Sequence, residues 1–100
     1  MGPSLHSPPT QVYLVMMAYD PEYERLRADS NRSAAQQLDR YVKNKHDTLL
    51  QRTLKPGTYK KRFSWVIVDG FAAEMTSDQA DKLRSADGVR VVEKDQEIGM

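Results

Sequence analysis

The stretch DGFAAEMTSDQADKLRSADGVRVVEKD, residues 69–95, carries the clearest structural signals in this sequence of 100 residues. Asp69-Gly70 is typical of a two-residue β-hairpin turn, and FAAEM after it has the composition of a short strand. Thr76 and Gln79 have the spacing of a capping box at the start of a helix, which Gly88 would end. The segment therefore predicts a turn, a strand, a short helix and a final strand.

The sequence upstream predicts three further elements. QVYLVMMAY (11–19) is β-branched and aromatic, which favours a central strand. DPEYERLRADSNRS (20–33) is polar and predicts a connection with at most one helical turn at 22–26. A helix is expected from Ser33, its predicted N-cap, to Pro56-Gly57. The reason is that residues able to form one stripe of an amphipathic helix recur in this segment at spacings of three and four. The members of that stripe are Ala35, Leu38, Val42, His46, Leu49 and Thr53.

The last upstream element, TYKKRFSWVIV (58–68), is predicted to be a strand that alternates its side chains between two faces. Strict alternation would place one set of residues on the same side: Tyr59, Lys61, Phe63, Trp65 and Ile67. In the strand after it, alternation places Phe71, Ala73 and Met75 on one face and Ala72 and Glu74 on the other.

The order strand, helix, strand, strand, helix, strand predicts an α+β fold of the ferredoxin-like type (βαββαβ). Four antiparallel strands would form one sheet, with two helices on one face. We expect a disordered arm over residues 1–10, a folded domain over 11–95 and a tail over 96–100. The other sheet face would stay uncovered, and such a face is a candidate binding surface.

Composition argues against several classes of function. The net charge is only +1, which provides no general field for nucleic acid. The sequence has no cysteine, and its two histidines lie far apart, so neither disulfides nor a structural metal site is expected. No apolar run approaches the length of a membrane span. We therefore expect no cofactor, no nucleic acid and no membrane as partner. Ser77 is explained by helix capping and not by catalysis.

GFAAEMTSDQADKLRSADGVRVVEKD (70–95) resembles the prodomain of subtilisin-like serine proteases, the peptidase inhibitor I9 family, and is most similar to the prodomains of plant subtilases. The resemblance continues upstream through KHDTLLQ (45–51), GTYKKRFSW (57–65) and VYLVMM (12–17). One departure is that four residues separate Trp65 from Gly70, where the plant pattern usually has five.

The resemblance implies a non-enzymatic inhibitor of a subtilisin-like serine protease, which as a prodomain would also assist folding of the protease. It implies a secretory or extracellular location, although this chain shows no signal peptide. The open sheet face would dock on the protease, and the tail would occupy the substrate cleft as a product does. The implied docking residues are Asp69, Ala72, Glu74, Glu93 and Asp95, and the implied tail residues are Gln96, Glu97, Ile98, Gly99 and Met100.

Two of these residues have a second interpretation. In the family, an acidic residue at the hairpin can face helix N-termini of the protease, but Asp69 could equally serve only the turn. His46 is a candidate pH sensor, because a buried neutral histidine that becomes charged would release the protease at mildly acidic pH. The alternative is a packed helix residue without a switching role.

Two other functions fit the same fold. An RNA-binding domain could stack bases on Phe63, Trp65 and Phe71, although Asp69 and Ala73 stand where an RNA-recognition motif needs a basic residue and a second aromatic residue. A self-assembling or ligand-sensing module is the other possibility.

Overall fold

The computed structural model describes residues 9–95 and contains one four-stranded antiparallel sheet and three helices. The elements are β1 (Gln11–Met17), α1 (Pro21–Ala28), α2 (Arg32–Thr53), β2 (Lys60–Trp65), β3 (Gly70–Met75), α3 (Ser77–Arg84) and β4 (Val89–Lys94). The strand order is β2-β3-β1-β4. The predicted α+β, ferredoxin-like class is confirmed. The tail, and all of the arm before residue 9, lie outside the described residues.

The main core lies between the sheet and the helices α2 and α3. Alternation along β1 buries Tyr13, Val15 and Met17 on the side that faces the helices, and β1 lies in the interior of the sheet as predicted. The same core cluster takes residues from the other elements: Leu49, Leu50, Leu54, Phe71, Ala73, Met75, Ala80, Leu83 and Val92. Each large apolar side chain buried here contributes about 1.5–3 kcal/mol relative to exposure.

The segment that was expected to be mostly a connection contains the helix α1. Asp20 caps it by accepting a hydrogen bond from the Glu22 amide at 3.0 Å, and Pro21 occupies the first turn, where its missing N–H costs nothing. Tyr23 and Leu26 of α1 are buried in a second cluster with Leu38 and Val42 of α2. Two apolar residues in an otherwise polar stretch carried too weak a pattern to predict this helix.

The N-cap of helix α2 lies two residues earlier than predicted. Asn31, and not Ser33, is the N-cap, and its side chain accepts from the Ser33 amide at 2.7 Å. Ala34 is buried in place of Ala35, while the other predicted positions from Leu38 to Leu49 are buried as expected.

The predicted two-residue turn is wrong, because Gly70 is already part of β3 and pairs with Trp65. Four residues, 66–69, form the loop, and Asp69 closes it with a φ of 51°, a left-handed conformation that aspartate tolerates better than most residues. Alternation in β2 also fails. Lys61 pairs with Ala73 but Phe63 pairs with Ala72, so an extra residue between them forms a β-bulge. Phe63 therefore changes to the other sheet face.

Candidate functional site

The sheet face turned away from the helices, here called the open face, is built from three rows of side chains. Residues directly opposite each other on neighbouring strands share a face, so the pairing register defines the rows. One row is Lys60, Glu74 and Val12; the next is Phe63, Ala72, Leu14 and Glu93; the third is Trp65, Gly70, Met16 and Val91. The second and third rows are mainly apolar, whereas the first row carries charge.

Aromatic side chains cover one side of the open face. The rings of Phe63 and Trp65 meet edge to face with centroids 4.6 Å apart, a favourable aromatic geometry. The bulge in β2 brings this pair to the open face, since strict alternation would have left both residues on the side of Lys61. Phe71, the third aromatic residue considered for RNA stacking, is fully buried on the helix side, so the three rings do not form one platform.

An apolar groove continues the open face onto the loop 66–69. Its volume is about 690 Å³, and its lining is Leu14, Met16, Ser64, Trp65, Val66, Ile67 and Val68. Ile67 is 78% exposed and Val68 is 53% exposed. Neighbouring exposed aliphatic residues on a small domain indicate a binding surface. Sequence reasoning missed this part of the site because it assigned these residues to a strand.

Gly70 keeps the open face flat at the start of β3, next to the loop. A Cβ atom at this position would lie 2.7 Å from the Met16 sulfur and 2.9 Å from the Val15 carbonyl oxygen. The second contact is with backbone, which cannot simply rotate away. Only glycine therefore leaves room for the Met16 side chain to lie over the backbone of β3 at this position.

The residues expected to dock are distributed unequally over the open face. Ala72 lies on it but is only 1% exposed, so its methyl group forms the floor between Leu14 and Phe63. Glu74 is partly exposed and pairs with Arg62. Glu93 and Asp95 are exposed at the edge strand β4, where the Asp95 amide donates to the Val12 carbonyl at 2.9 Å.

Asp69 lies in a different place, inside a polar cluster between the loop and the helices. One carboxylate oxygen is 2.9 Å from His46 Nε2, and the other accepts from Lys45 Nζ at 2.6 Å. Lys45 also donates to Asp20 at 2.7 Å, and Asp20 accepts from the Tyr41 hydroxyl at 2.6 Å. Only 6% of the Asp69 side chain is exposed. The carboxylate is thus directed into the protein and not toward a partner.

The charges in this cluster follow from the balance between burial and hydrogen bonding. Burial by itself would raise the pKa of Asp69, but the hydrogen bonds from His46 and Lys45 outweigh it and lower that pKa. Burial also acts to raise the pKa of Asp20, but the hydrogen bonds from Lys45 and Tyr41 outweigh it and lower that pKa. Burial and the hydrogen bond to Asp20 raise the pKa of Tyr41 to about 12. At neutral pH the two carboxylates are therefore ionised and share the ammonium group of Lys45.

The neighbours of His46 assign its tautomer. An ionised Asp69 can only accept, so His46 Nε2 carries the proton that lies between them. In a neutral ring Nδ1 is then an acceptor, and the Ser64 hydroxyl donates to it at 2.8 Å. The same hydroxyl accepts from Lys61 at 3.2 Å. A second proton on His46 would point at an oxygen that already faces the positive charge of Lys61.

The polar cluster and Tyr23 hold the loop 66–69 in place from the helix side. The Tyr23 hydroxyl lies 2.6 Å from the Val66 carbonyl oxygen and 2.7 Å from that of Ile67. The Asp69 carbonyl accepts from the Met17 amide at 3.0 Å, which attaches the end of the loop to β1. Anchors on α1, α2 and β1 thus fix the backbone that presents the groove.

Neither a metal cluster nor a membrane-spanning helix occurs in the part of the chain that the structure describes. Within 9–95, no group of three histidine, cysteine or acidic side chains could hold a metal ion. Among these same residues, no helix combines the length and the apolar character that crossing a membrane requires.

Comparison with known proteins confirms the resemblance found in the sequence. The model of the peptidase inhibitor I9 family matches residues 12–99. Subtilisin-like protease SBT2.5 of Arabidopsis thaliana is 33% identical over 104 residues, covering 88% of this chain and 13% of its own length. Subtilisin-like protease SBT2.6 of the same plant is 42% identical over 60 residues, covering 59% of this chain and 7% of its own length. SBT2.4 is 28% identical over 89 residues, covering 88% of this chain and 11% of its own length. The chain thus corresponds to a small part of each relative, and no solved structure matches it.

Proposed function

Because the chain belongs to the peptidase inhibitor I9 family, we propose that its open face docks on the catalytic domain of a subtilisin-like serine protease while residues 96–100 occupy the substrate cleft. The family consists of non-catalytic peptidase inhibitors, so the domain is not an enzyme. The observation that carries the docking proposal is the open face itself, with an aromatic pair and an apolar groove beside a charged row.

The acidic residues of the open face suit contacts with helix N-termini on the surface of a protease. Carboxylates are stabilised at helix N-termini by free N–H groups and the helix dipole. Glu74, Glu93 and Asp95 lie around the apolar rows and are the residues we propose for such contacts. Ala72 contributes the floor of the surface. For Asp69 we propose a positioning role, because both of its oxygens are bound inside the domain.

The tail would act together with the folded domain. Asp95 alone separates residues 96–100 from the end of β4 at Lys94, and we propose that they add a strand to the edge of a protease cleft. The docked sheet would raise the effective concentration of the tail at the cleft, so that the two contacts strengthen each other. In a protease that carries this domain in the same chain, the same docking would assist folding, and we propose passage through the secretory pathway.

Titration of the chain into a purified plant subtilase, followed by hydrolysis of a chromogenic peptide, tests this proposal. We expect inhibition at nanomolar to micromolar concentration. Deletion of residues 96–100 should abolish most of it while the circular dichroism of the domain stays unchanged. Glu74→Arg should weaken inhibition with the tail intact, whereas Asp39→Arg, which reverses an acidic residue on the helix side, should not. Full inhibition after tail deletion would exclude the product-like mechanism.

We further propose His46 as the pH sensor of this inhibitor. Histidine is the side chain that changes charge between about pH 5 and pH 8. A charged ring would keep its bond to the ionised Asp69, which favours the charge. It would also lie against Phe71, with ring centroids 4.9 Å apart, and its second proton would compete with Lys61 for Ser64. Inhibition measured from pH 7 to pH 5 should weaken for the wild type and stay constant for His46→Gln. Parallel profiles of the two proteins would rule out a sensor at this position.

A further inference from the structure

Residues 31–33 read Asn-Arg-Ser, which is an acceptor sequence for N-linked glycosylation. The only other asparagine of the chain, Asn44, is followed by Lys45-His46 and is not an acceptor. We propose that Asn31 carries an N-linked glycan. The inference rests on the secretory route proposed above, since the glycan is attached only to chains that enter that route.

The side chain of Asn31 is free to accept a sugar. Asn31 ends the connection between α1 and α2, Arg32 and Ser33 begin α2, and all three residues are exposed. The carbonyl oxygen of the Asn31 side chain is used as the helix cap, at 2.7 Å from the Ser33 amide. The carboxamide nitrogen at the other end of the group donates no hydrogen bond to another described residue. A glycan on this nitrogen therefore removes neither the cap nor any other contact of the domain.

The position of Asn31 keeps a glycan away from the open face. His46, the α2 residue bonded to β2 and the loop, lies 15 residues further along the chain. At 1.5 Å per residue this places Asn31 about 22 Å along the helix from that contact. The neighbours of Asn31 are the end of α1 and the first turns of α2, which pack on each other through Leu26 and Leu38 in a cluster that shares only Val66 with the lining of the groove. The glycan would cover an exposed connection that proteases could otherwise cut, and it would leave docking unhindered.

Secretion of the full chain from plant cells tests the modification. The chain is expressed behind a cleavable secretion signal as the wild type, Asn31→Gln, Ser33→Ala and Ser33→Thr. We expect one N-glycan in the intact mass of the wild type and of Ser33→Thr, removed by a glycosidase active on plant glycans, and none in the other two proteins. An unmodified mass of the secreted wild type, beside a glycosylated reference protein from the same cells, would overturn the inference.

Inhibition assays on the same proteins separate the glycan from the docking proposal. The glycosylated wild type and Asn31→Gln should inhibit a subtilase equally, within about twofold. Arg62→Asn creates the acceptor Asn-Phe-Ser at 62–64, beside the open face, and its glycan should weaken inhibition by at least about tenfold until it is removed enzymatically. Glu74→Asn, which creates Asn-Met-Thr at 74–76, provides a second such variant if the first does not fold. Because Glu74 is itself a proposed docking residue, this variant is compared with Glu74→Gln, which loses the same carboxylate but gains no acceptor sequence.

The outcomes of these assays distinguish the two ideas. If removing the glycan from Asn31 strengthens inhibition tenfold or more, our placement of this glycan away from the docking surface is wrong. If a glycan on the open face leaves inhibition unchanged, the docking proposal fails while the modification of Asn31 stands.

Discussion

Replacement of Asp69 by asparagine removes one charge from the polar cluster and changes little else. Asparagine has nearly the same size and, like aspartate, tolerates a φ of 51°. Lys45 and His46 would lose their shared carboxylate, and an amide group would take its place. Because both contacts are shorter than 3 Å and Asp69 is 4% exposed, we expect a large loss of stability.

The magnitude follows from what remains of the cluster. Removal of one partner from a buried ion pair costs about 3–5 kcal/mol. Here Lys45 keeps Asp20 at 2.7 Å, and 20% of its side chain is exposed, so the cost should fall below that range. We expect about 2–3 kcal/mol of unfolding free energy, a substantial fraction of the roughly 5–10 kcal/mol typical of a domain of this size.

Urea unfolding followed by circular dichroism at pH 7 measures this loss, which corresponds to a decrease of about 1–2 M in the midpoint. Asp39→Asn is the matched control, because it breaks an exposed pair with Lys43 and should cost less than about 0.5 kcal/mol. In a double-mutant cycle, Asp69→Asn and Lys45→Met should show a coupling of about 1 kcal/mol or more. Equal midpoints for Asp69→Asn and Asp39→Asn would refute the assignment of a stabilising role to the cluster.

Three further outcomes are expected. Gly70→Ala should lower stability by about 1–3 kcal/mol in the same assay, because its Cβ would lie 2.9 Å from the Val15 carbonyl oxygen; unchanged stability would show that the strands separate freely. Tyr23→Phe removes the hydroxyl that anchors the loop and should cost about 1 kcal/mol. It should also speed amide exchange within 66–69, and unaltered exchange there would contradict the anchoring. Asp20 and Asp69 have lowered pKa values in the folded protein, so their contribution is complete above the ordinary value of 3.8 and is lost as the pH falls through the folded pKa values. The deficit of Asp69→Asn should therefore shrink below about pH 3.8, and a deficit independent of pH would argue against this linkage.

The secondary structure of the second half of the chain could be predicted because its signals are local. The capping box of Thr76 and Gln79 forms as expected, with both of its hydrogen bonds present. The alternation in FAAEM places Phe71 in the core and Glu74 on the open face. These features depend only on residues a few positions apart, so the sequence contains all the information that they need.

The bulge, the loop and the polar cluster depend on residues that are distant in the chain. Phe63 reaches the open face only because one extra residue in β2 is accommodated opposite β3. Asp69 carries a turn signal, but its partners Lys45 and His46 lie more than 20 residues away, on a helix whose orientation the sequence pattern does not specify.

The sequence alone therefore determined the family, the order of the main elements and the presence of an uncovered sheet face, because each rests on short-range patterns or on similarity along the chain. Only the tertiary structure decided which residues that face displays and which it hides. Strand register and helix packing bring Asp69 inward and leave Ile67 exposed, and both arise from contacts across the sheet and between layers.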